Sequence, residues 1–107
     1  MDMINFTRND AGIIRLMGRF DYLARREFTG TVAQAVADSA VNSILIDLGA
    51  VDDIDCSALS LLLVCRDVAK RAGKTVSLLN PTGDVKRALD AAHFAALFAI
   101  ESTFELA

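Results

Sequence analysis

Hydrophobic residues follow a strand-like spacing in some segments of this chain and a helical spacing in others. Residues 3–7 and 13–17 flank a turn-forming sequence, Arg-Asn-Asp-Ala-Gly, and together predict a β-hairpin that Gly18 ends. Residues 44–48 are apolar except at Asp47, which is typical of a central strand covered on both faces. Residues 75–79 predict another strand, and residues 97–100 predict a short last strand before a closing helical turn.

Three intervening segments have apolar residues at the spacing of an amphipathic helix. The first follows Asp21, a predicted N-cap, and ends near Ser39. The second ends at Gly73, a residue suited to the position after a helix, and the third has Pro81 in its first turn. The predicted buried residues of the three helices are, in chain order, Phe28, Val32, Ala35, Val36, Ala58, Leu61, Leu62, Cys65, Val68, Ala69, Ala72, Val85, Ala88, Leu89 and Ala92.

This order of elements predicts an α/β fold with a mixed β-sheet. A hairpin is followed by helix, strand, helix, strand, helix and a final strand. Because strand–helix–strand crossovers are right-handed, we expect the helices mainly on one face of the sheet and a more open second face. The 107 residues suffice for one ordinary core, so residues 1–107 are expected to form a single domain.

Composition and charge argue against several classes of function. The chain is 53% hydrophobic with a net charge of −3, and its scattered basic residues form no stripe suited to nucleic acid. No apolar run approaches the roughly 20 residues that span a bilayer, and no signal peptide pattern is visible, so we expect a cytoplasmic protein without membrane insertion. The sequence has no Gly-rich phosphate loop, nucleophile–base pair or metal-ligand spacing, so we expect no enzyme, cofactor or metal site.

The candidate chemistry lies just after the 44–48 strand. Asp52, Asp53 and Asp55 form a predicted acidic loop, which places Asp55, Cys56 and Ser57 at a helix N-terminus. A single aspartate there is most often a helix cap, which stabilises the helix by roughly 1 kcal/mol. Three carboxylates within four residues exceed what one helix end needs.

The helix that follows has a second side, opposite its predicted core residues. Ser57 and Ser60 lie on that side and Leu59 and Leu63 lie beside it, so the sequence predicts an exposed apolar patch with a polar rim. Such a patch indicates a protein partner. The alternative is that the C-terminal tail covers both leucines.

Ser57 is also a candidate phosphoacceptor. The free amide hydrogens and positive dipole of a helix N-terminus would stabilise a phosphate there, whereas the neighbouring carboxylates would repel it. Phosphorylation would therefore rearrange the contacts of this surface.

Residues 51–59, VDDIDCSAL, resemble the signature of STAS domains, the anti-sigma factor antagonist family. In that family a strand leads into a turn of the form Asp-Ser-Ser-Gly-Leu or Asp-Ser-Thr/Ala-Gly-Leu. Residues 18–21, GRFD, are similar to the family's upstream Gly-x-Leu/Phe-Asp. The resemblance covers nearly the whole chain and implies a STAS-like fold.

Within this resemblance, Asp55 matches the acidic residue before the phosphoacceptor and Asp21 matches the upstream aspartate. Cys56 falls where the family's phosphorylated serine lies, Ser57 falls on the next hydroxyl position, and Ala58 replaces the usual glycine. A thiol cannot replace serine in an ordinary kinase–phosphatase cycle. Either Ser57 accepts the phosphate, or the protein binds its partner constitutively or responds to another signal.

The cysteines have different expected roles. A helix N-terminus lowers the pKa of a thiol and nearby carboxylates raise it, so we interpret Cys56 mainly as a small residue in the serine's place, with redox sensing as the lesser alternative. Cys65 is expected in the core. The lone histidine, His93, has no visible nucleophile partner and is expected at a helix end.

The resemblance implies a regulatory module that binds an anti-sigma factor, often an ATP-dependent serine kinase, in a partner-switching pathway of transcription. A PP2C-type phosphatase is a further candidate partner, and a homodimer remains open. A second hypothesis is an accessory subunit of a lipid-transporting ABC system, because such subunits often carry Thr-Ala-Gly at this turn. A third hypothesis is binding of a nucleotide or another small ligand at the acidic loop. It is disfavoured because the loop has no basic or Gly-rich cradle for a phosphate. The predicted partner-binding residues are Asp21, Asp53, Asp55, Cys56, Ser57, Ala58, Leu59, Ser60 and Leu63.

Overall fold

The computed structural model describes residues 4–8 and 12–102, and these form a five-stranded mixed sheet with the strand order β1-β2-β3-β4-β5. β1 pairs antiparallel with β2, and each later strand pairs parallel with the one before it. The strands are β1 Ile4–Arg8, β2 Gly12–Phe20, β3 Ser43–Ile54, β4 Thr75–Leu79 and β5 Ala99–Glu101.

The two faces of the sheet differ in character. Ile14, Ile46 and Leu78 are partners across β2, β3 and β4, and all three side chains are fully buried. In the next row Arg15 pairs with Asp47, where Nε lies 3.3 Å from Oδ2. β3 is central, as predicted, but residues 43–48 alternate between half-buried and buried, so only one face is fully covered.

Three α-helices within the described residues lie mainly on that buried face, which confirms the predicted arrangement. They are α1 Arg25–Ala37, α2 Cys56–Arg71 and α3 Gly83–Ala91. Two 3₁₀ turns, Tyr22–Ala24 and Phe94–Ala96, precede α1 and follow α3. The helical residues that are buried in the common core are Phe28, Val32, Ala35, Ala58, Leu62, Cys65, Ala69, Val85 and Leu89.

The remaining predicted core positions are less buried. Val36, Leu61 and Ala92 are half-buried against the core, and Ala88 is also half-buried. Val68 and Ala72 are exposed. For Leu61 and Val68 the reason is an open apolar cleft of about 240 Å³ that remains between α1 and α2 and is lined by both residues.

Several element boundaries differ from the predicted ones. β2 does not end at Gly18, because this glycine adopts φ 77° beside a shift in the β2–β3 register and the strand continues to Phe20. Beside this longer β2, β3 runs on to Ile54, so Asp52 and Asp53 lie on a strand and the predicted acidic loop is wrong.

The helix ends also deviate from the predictions. α1 ends at Ala37 rather than near Ser39. Pro81 precedes α3, whose N-cap is Thr82. Gly73 follows α2 with φ 76°, as predicted, and the next amide, of Lys74, donates to the Ala69 carbonyl at 2.9 Å. Residue 3, most of the hairpin turn and the predicted closing helical turn lie outside the described residues.

None of the helices in the described part of the chain is both long enough and apolar enough to span a bilayer.

Candidate functional site

The predicted site lies where β2 and β3 end side by side. The two strands are parallel, and Phe20 pairs with Ile54 at their carboxyl ends. Asp21 and Asp55 directly follow these two residues, so both aspartates leave neighbouring strands at the same edge of the sheet. Parallel pairing therefore brings together two acidic residues that are far apart in the sequence.

Both aspartates are N-caps. The Asp55 Oδ1 accepts a hydrogen bond from the Ala58 amide at 2.8 Å at the start of α2. The Asp21 Oδ1 accepts from the Leu23 amide at 2.9 Å, although it caps the 3₁₀ turn and not α1 itself. Each carboxylate satisfies an amide that the turn or helix leaves without a partner, so both residues fix the backbone of this edge.

Arg19 joins the carboxylates, and it was missed in the sequence. Its Nε lies 3.5 Å from Asp21 Oδ2 and 3.4 Å from Asp53 Oδ2, and its side chain is 71% exposed. Arg19 and Asp53 are register partners on β2 and β3. Arg19 offsets part of the negative charge predicted for this site, and only the β2–β3 register could have identified it.

The first turn of α2 presents one exposed and one half-buried reactive group. Cys56 is an exposed free thiol, whereas the Ser57 side chain is half-buried. Ala58 is completely buried in the core cluster. Cys65, nine residues after Cys56, is buried as predicted, and burial raises the pKa of its thiol to about 12.

The two leucines of the predicted patch differ. Leu63 is 38% exposed, and Ser60 next to it on the helix surface is also exposed. Leu59 is half-buried and packs against the core. The predicted exposed patch therefore depends on Leu63, and Leu59 supports the core beneath it.

Two further exposed apolar residues follow Asp21. Leu23 is 87% exposed and Tyr22 is 57% exposed, with the Arg25 guanidinium 5.1 Å from the Tyr22 ring centroid. Both fall outside the helical stripe of α1, and their position directly after the N-cap Asp21 was the signal that could have identified them. They add apolar surface to the same edge of the sheet.

The site thus combines capped carboxylates, one arginine, an exposed thiol, a half-buried hydroxyl and exposed apolar side chains. No group of three or more His, Cys, Asp or Glu side chains within residues 4–8 and 12–102 is placed to hold a metal ion. This arrangement places acidic and apolar side chains together at one edge of the sheet.

Comparisons with known proteins give a consistent result. The family model described as "STAS domain" matches residues 4–107. A STAS-domain containing protein of Pseudomonas aeruginosa (strain UCBPP-PA14) is 31% identical over 87 residues, which cover 81% of this chain and 84% of that protein.

Two solved structures share the fold at low sequence identity. An anti-sigma factor antagonist from Mycobacterium paratuberculosis has a TM-score of 0.83 at 16% identity and covers 95% of this chain and 86% of its own. The Bacillus cell fate determinant SpoIIAA, in its phosphorylated form, has a TM-score of 0.74 at 18% identity, with 95% and 92% covered.

Proposed function

Because this chain belongs to the STAS domain family, we propose that it is a regulatory module that binds an anti-sigma factor. The family resemblance predicted from residues 18–21 and 51–59 is confirmed. The observation that carries the functional proposal is the first turn of α2, which presents the exposed Cys56 and is held at the sheet edge by the Asp55 cap. The anti-sigma factor, as an ATP-dependent serine kinase, would bind the nucleotide and carry the kinase activity. This chain would supply a binding surface.

The binding surface consists of the β2 and β3 ends with the outer side of α2. Its rim carries Asp21, Asp53 and Asp55. Its apolar part consists of Leu63 with Tyr22 and Leu23. The capping bonds hold the backbone of the rim before the partner arrives, which lowers the ordering cost of association. A partner with basic residues around an apolar depression complements this surface.

Partner binding is proposed to be constitutive, without a serine switch. The exposed position at the start of α2 is Cys56, which an ordinary serine kinase cannot phosphorylate. Ser57 is half-buried, and a phosphate on it would also meet the charges of Asp53 and Asp55. Cys56→Ser would place a hydroxyl at the exposed position and is expected to make the module a kinase substrate.

The test is affinity purification of the tagged protein from its native cells, followed by mass spectrometry. Wild type is expected to retain an anti-sigma factor, with no phosphate on the peptide that contains Ser57. Leu63→Asp is expected to lose that partner while its thermal unfolding stays close to that of wild type. The matched control is Lys86→Gln, an exposed residue of α3 whose amine pairs with Asp90 at 3.4 Å, and it should retain the partner.

Other outcomes contradict the proposal in distinguishable ways. Capture of an ABC ATPase with its membrane subunits would assign the chain to lipid transport. Stoichiometric phosphate on Ser57 would restore the switch and exclude constitutive binding. Unfolding of Leu63→Asp would place Leu63 among the residues that the fold requires.

A further inference from the structure

The opposite end of α2 borders a second surface, which differs in charge from the first. A cleft of about 380 Å³ lies between the C-terminal half of α2, the start of β4 and the segment that leads into β5. Its volume falls within the roughly 300–1,000 Å³ of small-molecule sites. The lining residues that matter for its chemistry are Arg66, Lys70, Lys74, Val76, Ser77 and Leu97.

Three cations line this cleft, and no carboxylate lines it with them. Within residues 4–8 and 12–102, none of the three cations forms an ion pair with a carboxylate, whereas Arg71 nearby pairs with Asp67 at 3.0 Å. Like charges in one cleft repel one another unless an anion lies between them. The cleft therefore favours an anionic occupant.

Neutral backbone groups hold two of the cations in place. The Arg66 Nε donates to the Leu97 carbonyl at 2.7 Å, and the Lys74 Nζ donates to the carbonyls of Asp38, at 3.0 Å, and Val41. A carbonyl orients a cation without neutralising its net charge. The terminal nitrogens of the Arg66 guanidinium remain as donors for a ligand, in the fork geometry that suits phosphate oxygens.

Helix-dipole compensation explains only part of this arrangement. Lysine or arginine in the last turn of a helix stabilises it, and Lys70 and Arg71 occupy the last turn of α2. Arg66 lies more than one turn before that end, and Lys74 lies beyond it, directly before β4. The crossover from α2 to β4 thus places the Arg66, Lys70 and Lys74 side chains along one cleft, with the Lys74 amine itself held at the Asp38 and Val41 carbonyls beside it. The position of Arg66 requires a reason other than the helix dipole.

We infer that this cleft binds a small organic phosphate. The phosphate oxygens accept hydrogen bonds from the terminal nitrogens of Arg66 and from the exposed Lys70 amine. The apolar part of the ligand packs against Val76 and Leu97, the latter 41% exposed. Binding is non-covalent, and the inference does not depend on the proposed partner.

Phenyl phosphate is a suitable probe, because it combines one phosphate with one apolar ring. Titration of the isotope-labelled protein, followed by amide chemical shifts, is expected to give saturable changes at Val76, Ser77 and Leu97. Inorganic phosphate should bind about tenfold or more weakly, because it lacks the apolar contacts. Phenol should give no saturable change, and added salt should weaken phenyl phosphate binding.

Two substitutions test the donors. Lys70→Gln removes an exposed amine without removing a structural contact described above, and it should weaken phenyl phosphate binding about tenfold or more. Arg66→Gln should weaken it further, although this change also removes the bond to Leu97. Lys86→Gln on α3 removes one positive charge elsewhere and should leave the affinity unchanged.

Several results would overturn the inference. These are the absence of saturable shifts at millimolar phenyl phosphate, equal affinity for inorganic phosphate, unchanged affinity in Lys70→Gln, or shifts centred on Cys56 and Ser57 at the other end of α2. Any of these could occur while the anti-sigma factor is still captured, and loss of that partner would leave the phosphate titration unaffected.

Discussion

The two ends of α2 carry opposite charges, and the charged side chains at each end have different contacts. At the N-terminal end the Asp55 carboxylate already accepts a backbone hydrogen bond, and Asp53 lies beside Arg19. At the C-terminal end Arg66 and Lys74 contact carbonyls, so their charges remain unneutralised. Both arrangements agree with the helix dipole, since anions favour one end and cations the other.

A cluster of charges therefore does not by itself identify the ligand. At the N-terminal end, the Asp21 and Asp55 side chains hold the backbone, and the proposed partner contact would combine this acidic rim with the exposed apolar side chains. At the C-terminal end, the backbone holds the charged side chains, which leaves their charge for a ligand. The first arrangement suits a protein surface, and the second suits a small anion.

The largest predicted difference along α2 is in thiol reactivity. Cys56 is exposed at the N-terminal end, while Cys65 is 1% exposed and its pKa is raised to about 12. At pH 8 only about one Cys65 thiol in ten thousand would be ionised, and that thiolate is also inaccessible to reagent. Iodoacetamide should therefore alkylate Cys56 at least about a thousandfold faster than Cys65, as measured by mass spectrometry of the two peptides.

The sign of the pH effect provides a control for this prediction. Because the folded-state pKa of Cys65 is raised, raising the pH from 7 to 9 should leave this thiol protonated and unreactive in the native protein. Denaturant should make both thiols react at similar rates. Rapid alkylation of Cys65 in native buffer would show that the core around α2 opens. The exposed and buried sides of the helix would then not differ in thiol reactivity.

The next effect tests whether the acidic end is structural. Asp55→Ala removes the carboxylate that accepts from the Ala58 amide, so it should lower the free energy of unfolding by about 1 kcal/mol. For a domain of about 100 residues this corresponds to a fall in Tm of roughly 4–8 °C. The matched control is Asp52→Ala, an exposed position on β3, which should change stability by no more than about 0.5 kcal/mol. Equal effects of the two changes would show that Asp55 is not a specific cap.

The sequence predicted the fold best where the spacing of apolar residues within a single helix or strand determines which of its residues are buried. The spacing of Ala58, Leu62, Cys65 and Ala69 predicted the buried side of α2, and residues 75–79 predicted β4 with its observed bounds. These signals are local, because the residue spacing within one element decides which side faces the core. The N-cap role of Asp55 followed from the same local reasoning, whereas Asp21 caps the 3₁₀ turn before α1 and not the predicted helix itself.

The remaining features depend on contacts between elements, so the sequence could not predict them. Asp52 and Asp53 have polar side chains typical of a loop, yet they continue β3 because β2 extends beside it past Gly18. Leu61 and Val68 have core-like spacing, yet they line the cleft that α1 leaves open. The basic cleft is likewise assembled by the α2–β4 crossover and by the segment before β5, which no local pattern describes.

The smallest effect concerns Arg19, which only the strand register revealed. Its Nε lies 3.4 Å from Asp53 Oδ2, but the two side chains are 71% and 55% exposed, so solvent screens the attraction. A double-mutant cycle with Arg19→Gln and Asp53→Asn, measured by urea unfolding, should give a coupling energy of about 0.5 kcal/mol or less. The coupling should fall further at about 1 M salt, because screening then extends only about 3 Å. A coupling energy above about 1 kcal/mol that persists in salt would mean that the Arg19–Asp53 ion pair is a fixed structural contact. The two ends of α2 would then differ only in the unneutralised charges of Arg66 and Lys74.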